Sequence, residues 1–306
     1  AYLPDYAKIA SKMPSLFNLR DKIPGAAKFS EVFLGFTSKR PLPKWRKDFF
    51  KDQELPSSLV LNSDKSPVIL FVDTFSRYFE PENIRSAIKV LKAAGYYPFL
   101  PSLETTKKPL CCGRTYLSNG LINKAKAEGE LILETFLPYL KDGVPVVGLE
   151  PSCILSFRDE LPALINDCNI NLLKNNSFTF EELLSKRCDK LNFKKINKKV
   201  LLHGHCHQKA FDAVKPIENV LGMIEGLSVE VIDTSCCGMA GSFGYNKNTY
   251  DISLKMAKEK LFPAIMKTKE DITVIADGTS CRCQIKDGIN REAVHVAQFL
   301  DENIIY

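Results

Sequence analysis

The chain has 306 residues, of which 45% are hydrophobic, and its 42 lysines and arginines against 36 aspartates and glutamates give a formal net charge of +6. This composition predicts a globular protein of about two domains, and so mild a charge excludes binding to nucleic acid through a strongly basic surface. No apolar run approaches the roughly 20 residues that a membrane-spanning helix needs.

The first 65 residues differ from the rest of the chain. They contain several prolines and a stretch in which basic and aromatic residues are mixed around Trp45. We predict an N-terminal helical segment over 1–65 that connects to the remainder. The alternative is a surface that docks another domain or a membrane, with Trp45 exposed among cations. The sequence leaves both open.

From residue 66 on, strands alternate with helices, and cysteines follow the strands. We predict a first repeat over 66–165, with a Cys-Cys-Gly (CCG) motif at 111–113 and a Ser-Cys pair that ends at Cys153. Its predicted elements are a strand at 67–75, a helix at 81–94, a strand at 96–100, a helix at 117–140 and a strand at 144–150.

A segment rich in asparagine and lysine, residues 166–198, separates this repeat from a second one. We predict an inserted helical segment and linker there. Its two cysteines, Cys168 and Cys188, lie outside the repeated pattern. Free cysteine is often buried for packing alone, so we expect no chemistry from them.

The second repeat is predicted over 199–306. Its CCG motif at 236–238 follows the first by 125 residues, and Cys281 follows Cys153 by 128 residues. A repeat of this length indicates a duplicated domain. Its predicted elements are strands at 199–206, 227–233 and 271–277 and helices at 216–224, 249–261 and 291–300.

This alternation predicts an α/β fold of two pseudo-repeated parallel βαβ half-domains, preceded by the N-terminal helical extension. In parallel sheets, the loops at the carboxyl ends of the strands build the site. Every repeated cysteine falls in such a loop. We therefore expect the sulfur atoms of each half to gather at one edge of its sheet.

Ten cysteines in a chain without a recognisable secretory leader predict a cytoplasmic protein that uses them for metal binding or redox chemistry rather than for disulfides. Iron–sulfur clusters are held mainly by cysteine thiolates. The second repeat offers five sulfurs and the first repeat three. The predicted metal ligands are Cys206, Cys236, Cys237, Cys281 and Cys283 in the second repeat and Cys111, Cys112 and Cys153 in the first.

Residues beside the cysteines are predicted to support the cofactor. Gly113 and Gly238 follow the cysteine pairs, where a residue without Cβ allows the backbone to approach a cluster closely. His205 and His207 alternate with Cys206 along the predicted strand end, which places them on the opposite face of the strand. We expect them to donate hydrogen bonds to the cluster rather than to ligate it.

The first repeat lacks a counterpart of Cys206, because Thr74 or a neighbour takes that place. Its three sulfurs need an oxygen, a histidine or an external ligand to complete a site. Three arginines lie beside the repeated cysteines, where they offset thiolate charge, bind a carboxylate or form ordinary salt bridges. They are Arg114, Arg158 and Arg282.

Two other functions remain open from the residues alone. Zinc also takes four cysteines, but the usual Cys-x₂-Cys knuckles are missing, so a zinc-stabilised assembly domain is the weaker alternative. A second alternative is a thiol or disulfide redox catalyst whose paired cysteines react directly.

Five stretches resemble a known family: CCGRTYLSNG, GLEPSC, HGHCHQKA, DTSCCGMAGSFGY and ADGTSCRCQI. They look like the tandem CCG (cysteine-rich) domain region of FAD-linked oxidase and iron–sulfur fusion proteins of the D-2-hydroxyacid dehydrogenase type. The pattern is also similar to the iron–sulfur subunit of glycolate oxidase and to the cysteine-rich subunit of heterodisulfide reductase. The resemblance covers about residues 40–306.

The resemblance implies that Cys206, Cys236, Cys237 and Cys281 match cluster ligands. In heterodisulfide reductase, each copy has the pattern Cys…CysCys…Cys-x-x-Cys and carries a non-cubane [4Fe–4S] cluster. This chain has only one residue between Cys281 and Cys283, and its first copy is incomplete. We therefore expect one iron–sulfur cluster rather than two.

The resemblance further implies an iron–sulfur electron-transfer module of a flavin-dependent dehydrogenase for lactate, glycolate or 2-hydroxyglutarate. The sequence has no glycine-rich nucleotide fingerprint and no four-cysteine ferredoxin spacing. FAD is therefore expected on an oxidase domain, and cubane clusters on a ferredoxin-like domain, either fused to this chain or separate. The acceptor would be a quinone or a thiol carrier, and this chain alone should not oxidise a hydroxyacid.

Overall fold

The computed structural model describes residues 1–59, 64–101 and 108–306, without the side chains of residues 188 and 189. The expectation for Cys188 therefore lies outside the described residues. Cys168 is exposed, so the expectation that it packs is wrong. Within the described ranges, no helix combines the length and the apolar character needed to cross a bilayer.

The described strands form two four-stranded parallel sheets, and the strand order is the same in both. In the first sheet the order is β2-β1-β3-β4, and in the second it is β6-β5-β7-β8. This confirms the predicted duplicated α/β fold. The strands are β1 (Ser66–Phe71), β2 (Tyr96–Phe99), β3 (Val146–Gly148), β4 (Ser177–Thr179), β5 (Lys198–Leu202), β6 (Leu227–Val231), β7 (Thr273–Ile275) and β8 (Ala293–Val294).

Helices precede and follow most of these strands. In the described part of the chain, the α-helices are α1 (Leu3–Lys12), α2 (Pro14–Phe17), α3 (Ala26–Leu34), α4 (Thr74–Tyr78), α5 (Pro81–Ala93), α6 (Arg114–Leu117), α7 (Ile122–Lys141), α8 (Pro151–Ile154), α9 (Glu160–Leu164), α10 (Ile170–Asn176), α11 (Phe180–Leu184), α12 (Cys206–Ala210), α13 (Lys215–Leu221), α14 (Tyr250–Glu259), α15 (Leu261–Met266), α16 (Thr279–Ile289) and α17 (Val296–Asn303).

The two sheets share one central layer of helices. Helices α5 and α11 of the first half pack on α17 and α13 of the second, and one buried core joins them to both sheets. Val68 and Leu70 of β1 face this core, whereas Ile69 and Phe71 face the outer layer of α7, α9 and α10. Because each buried aliphatic side chain stabilises the fold by about 1.5–3 kcal/mol, this shared core holds the halves together as one unit.

On the far side of the second sheet, α14, α15 and α16 form the other outer layer. The strands alternate their side chains between two apolar layers, which explains the unbroken apolar runs Val68–Phe71 in β1 and Val200–Leu202 in β5. The carboxyl ends of the strands lead into the cysteine loops, as predicted.

Several boundaries differ from the prediction. Strand β5 ends at Leu202, because His205 caps a new helix that begins at Cys206. The predicted helix at 291–300 begins as strand β8, and β4 lies within the segment 166–198 that we assigned to a linker. Strands of two or three residues are too short to show an alternating pattern in sequence.

The N-terminal extension is helical, as predicted, but Trp45 is buried rather than exposed. Its ring packs against Phe79, with centroids 4.7 Å apart, and against Tyr78. The side chain of Asn18 hydrogen-bonds to the backbone N–H and C=O of Trp45. The exposed aromatic surface lies instead on α3, where Phe29 and Phe33 are 64% and 69% exposed.

Candidate metal centre

Three strand ends of the second sheet bring four cysteines together. Cys206 is the first residue of α12 after β5, the pair Cys236 and Cys237 follows β6, and Cys281 lies in the first turn of α16 after β7. The sulfurs form a continuous chain of contacts, from Cys206 to Cys236, then to Cys237 and then to Cys281. Cysteines separated by up to 75 residues thus meet at one edge of the sheet.

Hydrogen bonds among these thiols shift their pKa values in opposite directions. The bonds from Cys206 and Cys237 lower the pKa of Cys236 to about 2, and the bond from Cys237 together with the charges of His203 and His205 lowers the pKa of Cys281. The pKa of Cys206 is raised, because its thiol donates a hydrogen bond to Cys236 and because it is partly buried. The lowered pKa values of Cys236 and Cys281 favour the thiolate, the form that binds metal.

Two histidines flank the Cys206 sulfur. The Sγ atom lies 3.9 Å from Nδ1 of His205 and 3.8 Å from Nδ1 of His207, and the two rings stack with centroids 5.2 Å apart. His205 also caps α12, since its Nδ1 accepts the backbone N–H of His207 at 3.2 Å. The prediction that these rings lie on the face opposite Cys206 is wrong, because the backbone here begins a helix instead of continuing the strand.

An arginine of the first half fixes the tautomer of His207. The Nη2 atom of Arg114 lies 2.9 Å from Nε2 of His207, and a guanidinium can only donate. We therefore assign the proton of the neutral ring to Nδ1, which faces the Cys206 sulfur. Burial, with added repulsion from His205 and Arg114, lowers the pKa of His207 to about 4 and keeps it neutral. Glu160 forms an ion pair with Arg114 and holds it in place.

His203 supplies a second nitrogen to the cysteine site. The side chain is 1% exposed, and its Nδ1 lies 3.0 Å from the Thr234 hydroxyl. The ring also lies beside Cys281, where it stabilises the Cys281 thiolate. A ring nitrogen next to a cysteine sulfur can support the sulfur or a group that the sulfur would hold.

Cys283 is not brought to the other four. It follows Cys281 by two residues in α16, and residues two apart on a helix point in different directions. Its thiol contacts Tyr245, and burial together with the charges of Glu80 and Asp287 raises its pKa to about 12. A neutral, separate thiol is a poor candidate ligand, and a Cys-x-x-Cys spacing would have kept both sulfurs on one face.

The glycines of the two CCG motifs are required by a left-handed backbone conformation and by close packing on a helix. Gly113 and Gly238 have φ of +75° and +83°, and a Cβ on either would collide with a carbonyl oxygen of the next long helix, 2.9 Å and 2.4 Å away. In both motifs the glycine N–H donates to the first sulfur of the pair, at 3.4 Å to Cys111 and 3.3 Å to Cys236. The glycines thus place an N–H donor on a sulfur while their Cα atoms pack on α7 and α14.

The first half gathers three cysteines at the matching edge of its own sheet. The Sγ atoms of Cys112 and Cys153 are 2.9 Å apart, Cys111 adjoins Cys112, and all three are buried. A hydrogen bond with Cys112 favours the Cys153 thiolate, but burial and the charges of Asp73 and Glu150 raise the pKa of Cys153 to about 12. The structure therefore surrounds these sulfurs with carboxylates, where the second half has histidines.

Gly278 and Gln208 also shape the second site, although neither is among the predicted site residues. A Cβ on Gly278 would lie 2.5 Å from the His205 ring and 3.3 Å from the Cys281 sulfur, so only glycine leaves room there. The amide of Gln208 joins this layer, since its Oε1 accepts the His205 N–H and its Nε2 donates to Asp277. The ADGTSC stretch contained this signal, because a glycine just ahead of a cysteine in a strand-to-helix loop often marks close packing.

Two of the predicted arginines do not face the sulfurs. Arg282 is buried and forms an ion pair with Glu80 across the interface between the halves. It also donates to the carbonyls of residues 276 and 277, which fixes the loop that carries Cys281. Arg158 pairs with Glu182 at 2.8 Å and stacks over Phe211.

Comparison with known proteins identifies the same region. Residues 200–286 match the family model described as the CCG cysteine-rich domain. The chain is 27% identical over 293 residues to a subunit of the anaerobic glycerol-3-phosphate dehydrogenase of Escherichia coli K12, covering 95% of this chain and 70% of that protein. It is 23% identical over 300 residues to D-2-hydroxyglutarate dehydrogenase of Pantoea ananatis, covering 94% of this chain and 28% of that protein.

A third relative is matched over nearly its whole length. The chain is 24% identical over 253 residues to lactate utilization protein A of Bacillus cereus B4264, covering 76% of this chain and 98% of that protein. By contrast, the chain spans less than a third of the D-2-hydroxyglutarate dehydrogenases that it matches. The resemblance predicted from the motifs is confirmed: residues 200–286 match the CCG cysteine-rich domain, and the chain is similar to these three proteins.

Proposed function

We propose that the chain is an iron–sulfur electron-transfer module whose centre lies in the second half. The observation that carries this proposal is the meeting of four sulfurs from three strand ends. Their ligand set would be Cys206, Cys236, Cys237 and Cys281. Cysteine thiolates are the usual ligands of such clusters, and a bound cluster would accept and release single electrons.

The surrounding residues fit such a group. The N–H of Gly238 already points at the Cys236 sulfur, and the ring of His203 lies beside Cys281. The Nδ1–H of His207 faces Cys206. Donors directed at sulfur stabilise negative charge there, and they favour the reduced state of a cluster.

Burial suggests a direction for the electron path. Cys237 and Cys281 are buried, whereas Cys206 and Cys236 are partly exposed. We place the exchange of electrons with a partner at the Cys206–Cys236 side, because transfer is fastest over the shortest distance. The opposite side is sealed from water by the outer layer of α14, α15 and α16.

The relatives suggest the partners. One is named as a subunit of anaerobic glycerol-3-phosphate dehydrogenase and another as D-2-hydroxyglutarate dehydrogenase. We propose that this chain takes electrons from a flavin-dependent D-2-hydroxyacid dehydrogenase, with lactate, glycolate or 2-hydroxyglutarate as the substrate. FAD and a ferredoxin-like domain would lie elsewhere, and a quinone or a thiol carrier would accept the electrons.

We further propose that the protein works in the cytoplasm with its N-terminal surface against a membrane. The first 51 residues hold 11 lysines and arginines but only four acidic residues, and α3 exposes Phe29, Val32, Phe33 and Leu34. Exposed aromatics among cations suit an anionic lipid surface. Co-sedimentation with anionic vesicles should fall in a Phe29→Ser, Phe33→Ser variant, and absence of binding by the parent would contradict this location.

The electron-transfer proposal is tested by anaerobic purification and reconstitution, followed by iron and sulfide analysis and EPR. We expect bound iron with sulfide and a reducible EPR signal. Cys236→Ser should remove the second-half centre, whereas the matched control Cys168→Ser, at an exposed cysteine outside the site, should leave it intact. Colourless, iron-free protein after reconstitution would refute the proposal.

The partial exposure and mutual contact of Cys206 and Cys236 favour one competing function, a thiol redox catalyst. The low pKa of Cys236 makes it a thiolate, the reactive form of cysteine. This function predicts thiol–disulfide exchange by metal-free protein that Cys236→Ser abolishes. A zinc-stabilised assembly domain would instead show one zinc per chain and no redox signal.

A further inference from the structure

We propose that Arg40 of the N-terminal extension is a positioning residue for the second-half centre, where it fixes the main chain at Cys237 and supplies a buried positive charge. The proposal rests on the proposed function, because it concerns the centre that Cys206, Cys236, Cys237 and Cys281 would hold. It gives the extension a role in electron transfer that is separate from the exposed surface of α3.

The extension reaches the cysteine site of the second half through a short antiparallel contact. The backbone of residues 35–37 pairs with that of residues 245–247, through a β-bridge between Phe36 and Asn246 and hydrogen bonds of 2.8 Å and 2.9 Å on either side of it. Residues 245–247 belong to the loop that follows β6 and carries Cys236 and Cys237. The extension is therefore attached to the loop that holds two of the four sulfurs.

Arg40 continues from this contact into the interior. Its side chain is buried, and its guanidinium lies over the rings of Tyr245 and Tyr250, 5.7 Å and 5.2 Å from their centroids. Nη1 donates to the carbonyl of Gly244 at 3.0 Å, and Nη2 donates to the side-chain oxygen of Gln284. Because a guanidinium holds its N–H groups in a fixed plane, these partners define its position relative to the cysteine loop.

Gln284 passes this contact on to the main chain of Cys237. The Gln284 amide is fully buried, and its nitrogen donates to the carbonyl of Cys237 at 2.9 Å and to that of Ser253 at 3.0 Å. Two hydrogen bonds therefore connect the guanidinium to a predicted cluster ligand. Removal of Arg40 would take away the donor that holds the Gln284 oxygen, and this loss favours rotation of the amide and release of the Cys237 carbonyl.

The charge of Arg40 is only partly balanced by its acidic partner. Nε of Arg40 lies 3.2 Å from Oδ2 of Asp287, which solvent reaches, and water weakens the field of a carboxylate. A cluster held by thiolates carries negative charge, and a buried cation near it favours the more negative, reduced state. Arg40 should therefore raise the reduction potential of the centre, and Asp287 should lower it.

Lys39 offers a matched control, because it precedes Arg40 and carries the same charge at the surface. Its Nζ lies 3.1 Å from the carboxylate of Asp251 and 5.4 Å from the centroid of the Tyr250 ring. The side chain is 59% exposed, so the field of its charge is screened by water. A change at Lys39 thus alters the net charge of the extension without reaching the interior.

The test is a redox titration of the anaerobically reconstituted full chain, followed by EPR. Arg40→Gln should lower the equilibrium constant for reduction of the centre by at least about threefold, whereas Asp287→Asn should raise it. Arg40→Lys, which keeps the charge but not the planar group, should have a potential between those of Arg40→Gln and the parent. Lys39→Gln should leave the potential unchanged. Circular dichroism and iron content verify that each variant is folded and loaded.

The opposite signs separate this proposal from a merely structural role. Arg40→Gln and Asp287→Asn break the same ion pair, so loosened packing alone predicts shifts in one direction. Shifts of equal sign, an unchanged potential in Asp287→Asn, or an equal shift in Lys39→Gln would overturn the proposal. If Arg40→Gln fails to hold iron, the order of the potentials of Arg40→Lys, the parent and Asp287→Asn decides in the same way.

The outcomes also distinguish this proposal from the proposed function. A parent with a reducible centre whose potential does not respond to Arg40 and Asp287 as expected would overturn the role of Arg40 and leave the electron-transfer module standing. An iron-free parent would refute both.

Discussion

The two halves of the molecule have the same arrangement of strands and turns. They differ in the side chains that surround the cysteines at the carboxyl ends of the strands. Both have the same strand order, a CCG turn with an N–H donor on the first sulfur, and a helix that begins just after the first strand. The second half adds Cys206 and surrounds its sulfurs with histidines, whereas the first half has Thr74 and carboxylates. After duplication, the frame was kept while the ligands and their charge diverged.

The difference matters because histidine side chains and carboxylates act oppositely on thiolates. Histidines donate to sulfur and favour negative charge there, while Asp73 and Glu150 raise the pKa of Cys153. The predictions below test what the halves share and then how they differ.

The largest effect should come from the shared turn. Gly238→Ala forces a Cβ to within 2.4 Å of the Ser253 carbonyl at a left-handed φ, and Gly113→Ala brings one to 2.9 Å from Ala125. We expect losses in the free energy of unfolding of more than about 3 kcal/mol and about 2 kcal/mol. Gly143→Ala has a similar φ with no described atom within 4 Å, so it should cost about 1 kcal/mol. Denaturant titration measures all three, and equal losses would contradict the packing role.

The second prediction concerns the pH dependence of the unfolding free energy of metal-free protein, to which Asp73 of the first half contributes. Burial and repulsion from Glu150 raise the pKa of Asp73 to about 6. A carboxyl with a raised folded pKa contributes stability below its unfolded pKa near 3.9, and that contribution is lost as the pH rises through 6. Asp73→Asn should therefore stabilise metal-free protein by up to roughly 3 kcal/mol at pH 7 and by little at pH 3.5. A pH-independent difference in unfolding free energy would contradict this account.

His207 should show the opposite pH dependence. Its folded pKa of about 4 lies below the usual value near 6.5, so stability is lost as the pH falls from 6.5 towards 4. Because the side chain is partly exposed, we expect only about 1 kcal/mol. His207→Gln should reduce the loss of stability between pH 7 and pH 5, as followed by thermal unfolding. An unchanged pH dependence would indicate that other groups dominate.

The smallest expected effect is a shift in reduction potential when the contact between Arg114 of the first half and His207 of the second half is weakened. Arg114→Gln weakens the contact that holds the Nδ1–H of His207 towards Cys206, and it removes a positive charge. We expect the reduction potential of the second-half centre to fall by roughly 30–60 mV, the equivalent of about one weak hydrogen bond. Arg158→Gln, whose partner is Glu182, is the matched control and should not shift it. The same shift in both variants would remove the specific role of Arg114.

Much of this arrangement is predictable from the sequence. The CCG motifs and Ser-Cys pairs repeat in register, and in parallel sheets the loops that carry them must share an edge. The placement of Cys236, Cys237 and Cys281 follows from that rule. The repeat also indicated that the first half lacks counterparts of Cys206 and Cys283.

Other features are decided by local geometry that a residue pattern does not show. His205 looked like the end of a strand, yet it caps a helix and turns its ring towards Cys206. Cys283 looked like a fifth ligand, but its helical spacing from Cys281 points it away. Strands β4 and β8 are too short to leave a pattern.

An anaerobic crystal structure with data collected on both sides of the iron absorption edge tests the central claim most directly. In reconstituted protein, we predict anomalous density for iron atoms within bonding distance of the sulfurs of Cys206, Cys236, Cys237 and Cys281. Iron density remote from these four sulfurs, or zinc in their midst, would contradict the account.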